Sequence, residues 1–171
     1  MAVDYFLKID GIEGESLDAK HKGEIEIESF SWGLTQTGSA SPGGGGANAK
    51  PQFRDVSFVA LISKASPLLF LGCATGKQFR SGVLTVRRGG ADQSEFYTLT
   101  LADVLISSYQ QGSSQAPGAG QAPGGFQGDV AVDQFSLNFS KIEVVYKPQK
   151  ADGAFDTPVR AGFDVRNNAA F

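Results

Sequence analysis

The chain is poor in the side chains that do covalent and metal chemistry. It has one cysteine, one histidine, one methionine and one tryptophan in 171 residues. The single cysteine, Cys73, excludes an internal disulfide framework. It sits in the apolar stretch LLFLGCA, where a small thiol reads as buried packing. The single histidine, His21, has no cysteine or second histidine beside it, so no metal site is assigned. It lies between Lys20 and Lys22 in an expected loop, and no nucleophile-elbow sequence accompanies it. It reads as a solvated loop histidine, and no catalytic residue is assigned.

Charge is also scarce. Asp, Glu, Lys and Arg make up 19% of the chain, against about 25% in ordinary domains. A surface short of charge suits one that is partly covered by partners. The formal net charge of −3, with no basic run interleaved with aromatics, gives no footprint for nucleic acid. No segment reaches the about 18 continuous apolar residues of a membrane span, so membrane insertion is not expected. The N-terminal MAVDYFLKID carries an early acid and no apolar h-region, so no secretory signal peptide is expected.

What is present is strand-forming. Apolar residues make up 41% of the chain, with 13 phenylalanines, enough for a packed β core. Asp4 to Ile9 alternates, with Tyr5, Leu7 and Ile9 on one face. Glu24 to Thr35 alternates too, but its apolar parity changes from Ile25 and Ile27 to Phe30, Trp32 and Leu34. A one-residue slip turns every later side chain to the other face, so a β-bulge is expected near Glu28–Ser29. Strands are expected at Gln52–Leu61, Gln78–Arg88, Glu95–Leu101 and Asp103–Tyr109. Asp129 to Lys147 reads as a strand pair or a bent strand, its own parity switch implying a bulge, and a last strand falls near Ala161–Arg166. Ser66 as N-cap, Pro67 at the first helical position and Gly76 as the stop mark one short helix. Two Gly/Pro-rich segments, 38–51 and 111–128, read as flexible loops. The whole is a single domain, residues 1–171, of the all-β class: a β-barrel or two-sheet sandwich with one side helix. Its interior should be filled by side chains, so no cofactor cavity is expected.

Apparent motifs dissolve on inspection. GGGGANAK, Gly43 to Lys50, resembles a phosphate loop, but Lys50 is followed by Pro51 and then a strand, not by Ser or Thr opening a helix. ATGKQ, Ala74 to Gln78, ends a helix instead of opening one. Glu24, Glu26 and Glu28 alternate with isoleucines and read as an exposed strand face that resists edge-to-edge aggregation. The acceptor pattern Asn138-Phe139-Ser140 falls inside a strand and carries no weight. A subtler pattern remains. Ser29, Ser31, Gly33 and Thr35 share a small polar face, as do Thr98 with Thr100 and Ser136, Asn138 and Ser140. Such faces suit bulk water, or the wall of a water-filled lumen made by several subunits.

The order of segments is informative where no single motif is. MAVDYFLKIDGIEGES, EIEIESFSWGLTQTGS, the GGGG loop, DVSF, KASPLLFLGCATGK, LTVRR, LADVLISSY and LNFSKIEVVYKPQKADGA follow one another along almost the whole chain. In that order they resemble the haemolysin-coregulated protein (Hcp) family, the inner-tube subunits of bacterial type VI secretion. The Gly/Pro-rich stretch Gln111–Gly128 is longer than the family pattern, and Gly162-Phe163 stands where the family often has Gly-Trp. No fused toxin domain is expected after Phe171. The resemblance implies a barrel subunit with one side helix, assembled as a homo-hexameric ring. Rings would stack into a tube that a contractile sheath propels, together with spike and baseplate partners. The protein would assemble in the bacterial cytoplasm, be secreted without a signal peptide, and carry or chaperone effector proteins in the lumen. Ser31 aligns with a lumen-facing family position, and Ser29 and Gly33 share its parity as expected cargo contacts. Gly38, Gly43, Gly44, Gly45 and Gly46 form the expected ring-stacking loop. The family implies no enzyme activity and no cofactor. From another class, the alternative is a monomeric β-sandwich that binds a ligand or acts as an enzyme, which requires a concave polar pocket.

Overall fold

The structure is a computed structural model that describes residues 3–36, 50–90, 93–115 and 129–171. Its strands are β1 (Val3–Ile9), β2 (Ile25–Ser31), β3 (Leu34–Thr35), β4 (Gln52–Phe53), β5 (Val56–Leu61), β6 (Gln78–Arg88), β7 (Glu95–Gln115), β8 (Asp129–Asn138), β9 (Lys141–Tyr146), β10 (Val159–Asp164) and β11 (Ala169–Ala170). The one described helix, α1, spans Ser66–Thr75. Nine strands run in the order β11-β10-β9-β7-β6-β1-β2-β5-β8, and β8 pairs back onto β7. That last pairing closes β7-β6-β1-β2-β5-β8 into a barrel, and β9, β10 and β11 extend the sheet beyond β7. Closure removes most of the unpaired edges a flat sheet would expose. The interior is packed: Phe58, Phe135, Leu7, Leu84, Leu99, Leu137, Val56 and Val104 are all fully buried.

The expected bulge in β2 is present. Ile27 pairs with Ala60 and Ser29 with Val59, so Glu28 is the extra residue. Ile25 and Ile27 therefore point into the barrel, while Phe30 and Trp32 come round to pack against Tyr5, Tyr97 and the core margin. The parity switch between Phe139 and Ile142 has a different origin from the expected bulge. The chain turns a corner at Phe139–Ser140, between β8 and β9, which lie one after the other along the same edge of β7. Ser140 N–H donates to the Ala102 carbonyl at 2.9 Å, and its hydroxyl to Asp103 at 2.6 Å. Asp103 sits at φ 50, the left-handed turn of the matching corner in β7. The register shift itself lies in β7, between Ile106 and Ser108.

Two expected boundaries move. Glu95–Leu101 and Asp103–Tyr109 are one strand, because β7 continues through the corner and on to Gln115. The first residues of the expected 111–128 loop are therefore paired: Gln111 opposes Asp133 and Gln115 opposes Asp129. The rest of that segment, and residues 38–49 of the glycine-rich loop, lie outside the described residues.

Helix α1 also starts differently. Ala65 occupies the N-cap position and Ser66 is the first helical residue, so Pro67 is the second helical residue and not the first. The Ser66 hydroxyl caps nothing in the helix; it donates to the buried Asp133 on β8. Gly76 ends the helix in the left-handed conformation at φ 64. Leu69 and Gly72 face the barrel, where a methyl on Gly72 would press on the Phe79 ring at 3.1 Å. Leu68, Phe70 and Leu71 remain exposed.

Candidate functional site

Strands β2, β5, β8 and the far end of β7 are neighbours in the barrel, and their outward residues form one continuous face. Its centre is a row of hydroxyls. Ser31 pairs with Ser57, Ser57 with Ser136, and Ser136 with Ser108. The Ser136 hydroxyl bonds to those of Ser107, at 2.7 Å, and Ser108. One row along, Ser29 opposes Val59, Val59 opposes Gln134, and Gln134 opposes Gln110. At the other margin Asn138 donates to Asp55 at 2.9 Å, and Arg54 N–H donates to the Gly33 carbonyl at 2.9 Å. Alternation produces this face directly. Phe58, Phe135 and Leu137 fill the core, so Ser57, Gln134 and Ser136 must point away from it.

Ser29 and Ser31 are exposed on this face and Gly33 is half-buried at its edge. Ser136 and Asn138 join them. Ser140 does not, because the corner turns it inward to 4% exposure. Thr98 and Thr100 belong elsewhere: they oppose Thr85 and Val83 on β6, away from the serine row. Ser57 and Ser108 are additions that the alternation of Val56 and Phe58, and the register of β7, bring into line. A shallow hollow of about 540 Å³ lies over Ser31, Trp32, Ser57, Ser108 and Ser136. Hydroxyls and amides of this kind form and break hydrogen bonds with water or a passing surface at small net free energy. Among the described residues no group of three or more His, Cys, Asp or Glu side chains is placed to hold a metal.

His21 corrects the expectation of a solvated loop residue. It is 6% exposed, stacked on Phe6 with ring centroids 4.4 Å apart and planes 7° from parallel. Its Nδ1 contacts Glu24 at 3.0 Å and its Nε2 contacts Glu95 at 3.2 Å. The residue clamps the 10–24 loop over β1. Beside it the Arg87 guanidinium lies over the Phe6 ring at 4.8 Å and reaches Asp18 at 2.8 Å and Asp4 at 3.1 Å.

The Arg87 hydrogen bond, helped by the Lys20 backbone N–H, holds the Asp18 carboxyl down to about 2 from an ordinary 3.8. Asp164 is lowered as well, chiefly by the Asn167 N–H. A carboxyl lowered by folding stabilises the fold above its unfolded pKa and loses that effect as pH falls through the folded value. Resistance to urea should therefore drop between about pH 4 and pH 2. Asp18→Asn should be less stable than the parent at pH 6 and should lose less between those limits; equal slopes for the two chains would remove Asp18 from the acid transition.

The sequence and the barrel with its side helix match known proteins. Residues 6–146 match the family model described as type VI secretion system effector, Hcp. The chain belongs to the Hcp family. Hcp1 of Pseudomonas aeruginosa is 42% identical over 170 residues, covering 98% of both chains. The crystal structure of Hcp1 from Salmonella typhimurium superposes with a TM-score of 0.76 at 31% identity, covering 100% of both chains. A Yersinia pestis structure, described as a type VI secretion system effector, gives a TM-score of 0.71 at 28% identity over 94% of this chain and 99% of that one. As an Hcp-family member the chain is a tube subunit of type VI secretion, with the barrel as its structural unit. No helix among its described residues is long and apolar enough to cross a membrane.

Proposed function

We propose that the protein forms homo-hexameric rings that stack into the secreted tube, with the β2-β5-β8-β7 face lining the lumen and holding effector cargo. One observation carries this reading. The row Ser31, Ser57, Ser136 and Ser108 presents hydroxyls, with Trp32 half-buried at its margin, whereas Leu68, Phe70 and Leu71 on α1 stand exposed as if to be covered. A subunit with a wet, weakly gripping face and an apolar flank suits a ring in which the first faces inward and the second meets another protein. A heterologous contact closes into a ring when its rotation allows. Gly38 and Gly43–Gly46 serve the stacking of rings in this reading, and sheath, spike and baseplate proteins are its other partners.

Native mass spectrometry tests the ring directly. A dominant species at six times the 18.0 kDa subunit mass is expected; a clean monomer at micromolar concentration would overturn it. Cargo carriage has its own test. Ser31→Gln puts a long amide at one end of the hydroxyl row, opposite Ser57. Cargo co-purifying with the ring should fall several-fold while the hexamer mass persists. Undiminished cargo would take Ser31 out of the contact surface.

A further inference from the structure

The hollow over the hydroxyl row holds one cation, Arg54, and one carboxylate, Asp55. Asp55 is half-buried and accepts the Asn138 amide at 2.9 Å. Arg54 is exposed. Its backbone is fixed, because its N–H donates to the Gly33 carbonyl at 2.9 Å. Its side chain makes no ion pair among the described residues. Residues 37–49 and 116–128, which lie outside them, contain no Asp or Glu, so neither glycine-rich segment has a carboxylate to give it. Glu26 and Glu28, farther along β2, line a different cleft, beside Arg87. Between those two glutamates and Arg54, the outward side chains of this face that the registers bring together are serines and glutamines, with Val59 among them. A guanidinium without a partner stands in a hollow rich in hydroxyls.

We infer that Arg54 selects cargo by charge, taking a carboxylate of the passenger polypeptide from an acidic side chain or from its C-terminus. The inference rests on the reading of this face as the cargo surface and adds the chemistry that the surface prefers. A guanidinium presents a planar fork of donors that matches a carboxylate, and hydroxyls such as Ser31 and Ser57 can donate to the remaining lone pairs. Trp32 bounds the hollow, and its indole N–H is already given to Tyr97 at 3.3 Å, so what it offers a passenger is its ring. Asp55 disfavours a polyanion such as nucleic acid, whose close-set phosphates would meet a carboxylate beside every guanidinium. A single carboxylate can take Arg54 while Asp55 stays with Asn138. One exposed pair of this kind changes affinity only about fivefold, which suits cargo that must be let go. Repeated around a ring, such pairs favour passengers with several carboxylates.

Charged peptides on the full-length chain test it. Gly/Ser peptides with a neutral dye at the N-terminus and an amidated C-terminus carry several glutamates, several lysines or no charge, and a fourth has no charge but a free C-terminal carboxylate. Binding is read by fluorescence anisotropy at low and high salt, and hexamers by native mass. The parent should bind at least one carboxylate peptide about fivefold or more tighter than its counterpart, glutamate against lysine or free against amidated C-terminus, and high salt should shrink the difference. Which of the two comparisons shows it assigns the carboxylate to side chains or to the C-terminus. Arg54→Gln should lose the preference, and Arg54→Glu should favour the lysine peptide. The side chain is exposed, so both variants should melt near the parent and keep the hexamer. If Arg54→Glu misfolds, Arg54→Gln decides. Equal binding in both comparisons, no binding of any peptide, a preference that survives Arg54→Gln, or loss of the hexamer in Arg54→Gln would each overturn the inference. A parent that forms no hexamer would instead overturn the tube reading, and the preference due to Arg54 would still be measured on the monomer.

Discussion

An Asp133→Ala chain should unfold about 3–4 kcal/mol more easily than the parent, lowering the melting midpoint by about 10 °C for a domain of this size. Asp133 is 1% exposed on β8, yet it is a carboxylate. It is held there by three donors: the Ser66 hydroxyl at the start of α1, the Tyr109 hydroxyl at 2.7 Å and the Gln111 amide at 3.2 Å. Burial, reinforced by the adjacent carboxylate, pushes the Tyr109 hydroxyl up to about 12, so it stays protonated as a donor. Alanine would leave the buried Ser66 hydroxyl and the half-buried Tyr109 hydroxyl facing a void, where unmet groups cost most, while the exposed Gln111 amide turns to water. The damage extends to architecture, because this cluster ties α1 to the β7–β8 wall on which the serine face is built. Melting curves at fixed protein concentration are the measurement, since assembly also moves the midpoint. Tyr109→Phe should cost less alone, and the double variant should cost less than the sum of the two by about 1 kcal/mol. Strict additivity would show that the hydroxyl and carboxylate act independently.

That cluster marks a boundary of what alternation in the sequence can reveal. Period-two patterning places Val56, Phe58, Phe135 and Leu137 in the core and Ser31 and Ser136 outside it, and the structure agrees. The Glu28 bulge was legible for the same reason: an extra residue is the only local way to turn Phe30 and Trp32 to the side that Ile25 and Ile27 had occupied. Asp133 and His21 defeat this logic because their neighbours are distant in sequence. Asp133 meets Ser66 from 67 positions away, and His21 meets Glu95 from 74. A serine before proline looks like a helix cap until the buried carboxylate that claims its hydroxyl is in view. Barrel closure was equally hidden. The strands suit a sandwich or a barrel until β7, bent at Asp103, is seen to pair with β9 along one half and β8 along the other.

The candidate site divides in the same way. The small face of β2 is visible from Ser29, Ser31 and Gly33, but the row becomes continuous only when the registers bring Ser57, Ser136 and Ser108 into line. Thr98 and Thr100 carry the same local signature and lie on another part of the sheet. Parity assigns a side chain to a face; strand order decides which faces join.

Gly14→Ala should be the most damaging glycine substitution in the 10–24 loop, at about 3 kcal/mol or more. A Cβ there would sit 2.3 Å from the Glu24 carbonyl oxygen and 2.7 Å from the Ile25 Cα. Both are backbone atoms at the start of β2, so no side chain can rotate away. Gly14 N–H also donates to Gly23 at 2.8 Å, and Ser16 N–H to Glu24 at 3.1 Å, rungs that a displaced Gly14 would break. Gly23, directly across, gives the control. It has φ +75 but nothing within 4 Å of a new Cβ, so Gly23→Ala should cost only the left-handed penalty, about 1–2 kcal/mol. The difference reaches beyond the loop's own backbone. The loop carries Asp18 to Arg87 and is clamped by His21. Prising it from β2 should therefore also loosen the Asp18–Arg87 pair, whereas Gly23→Ala should leave that pair in place. Urea titration of the two variants separates the cases. A Gly23→Ala chain less stable than Gly14→Ala would mean that backbone conformation, and not the space between the loop and β2, limits this part of the fold.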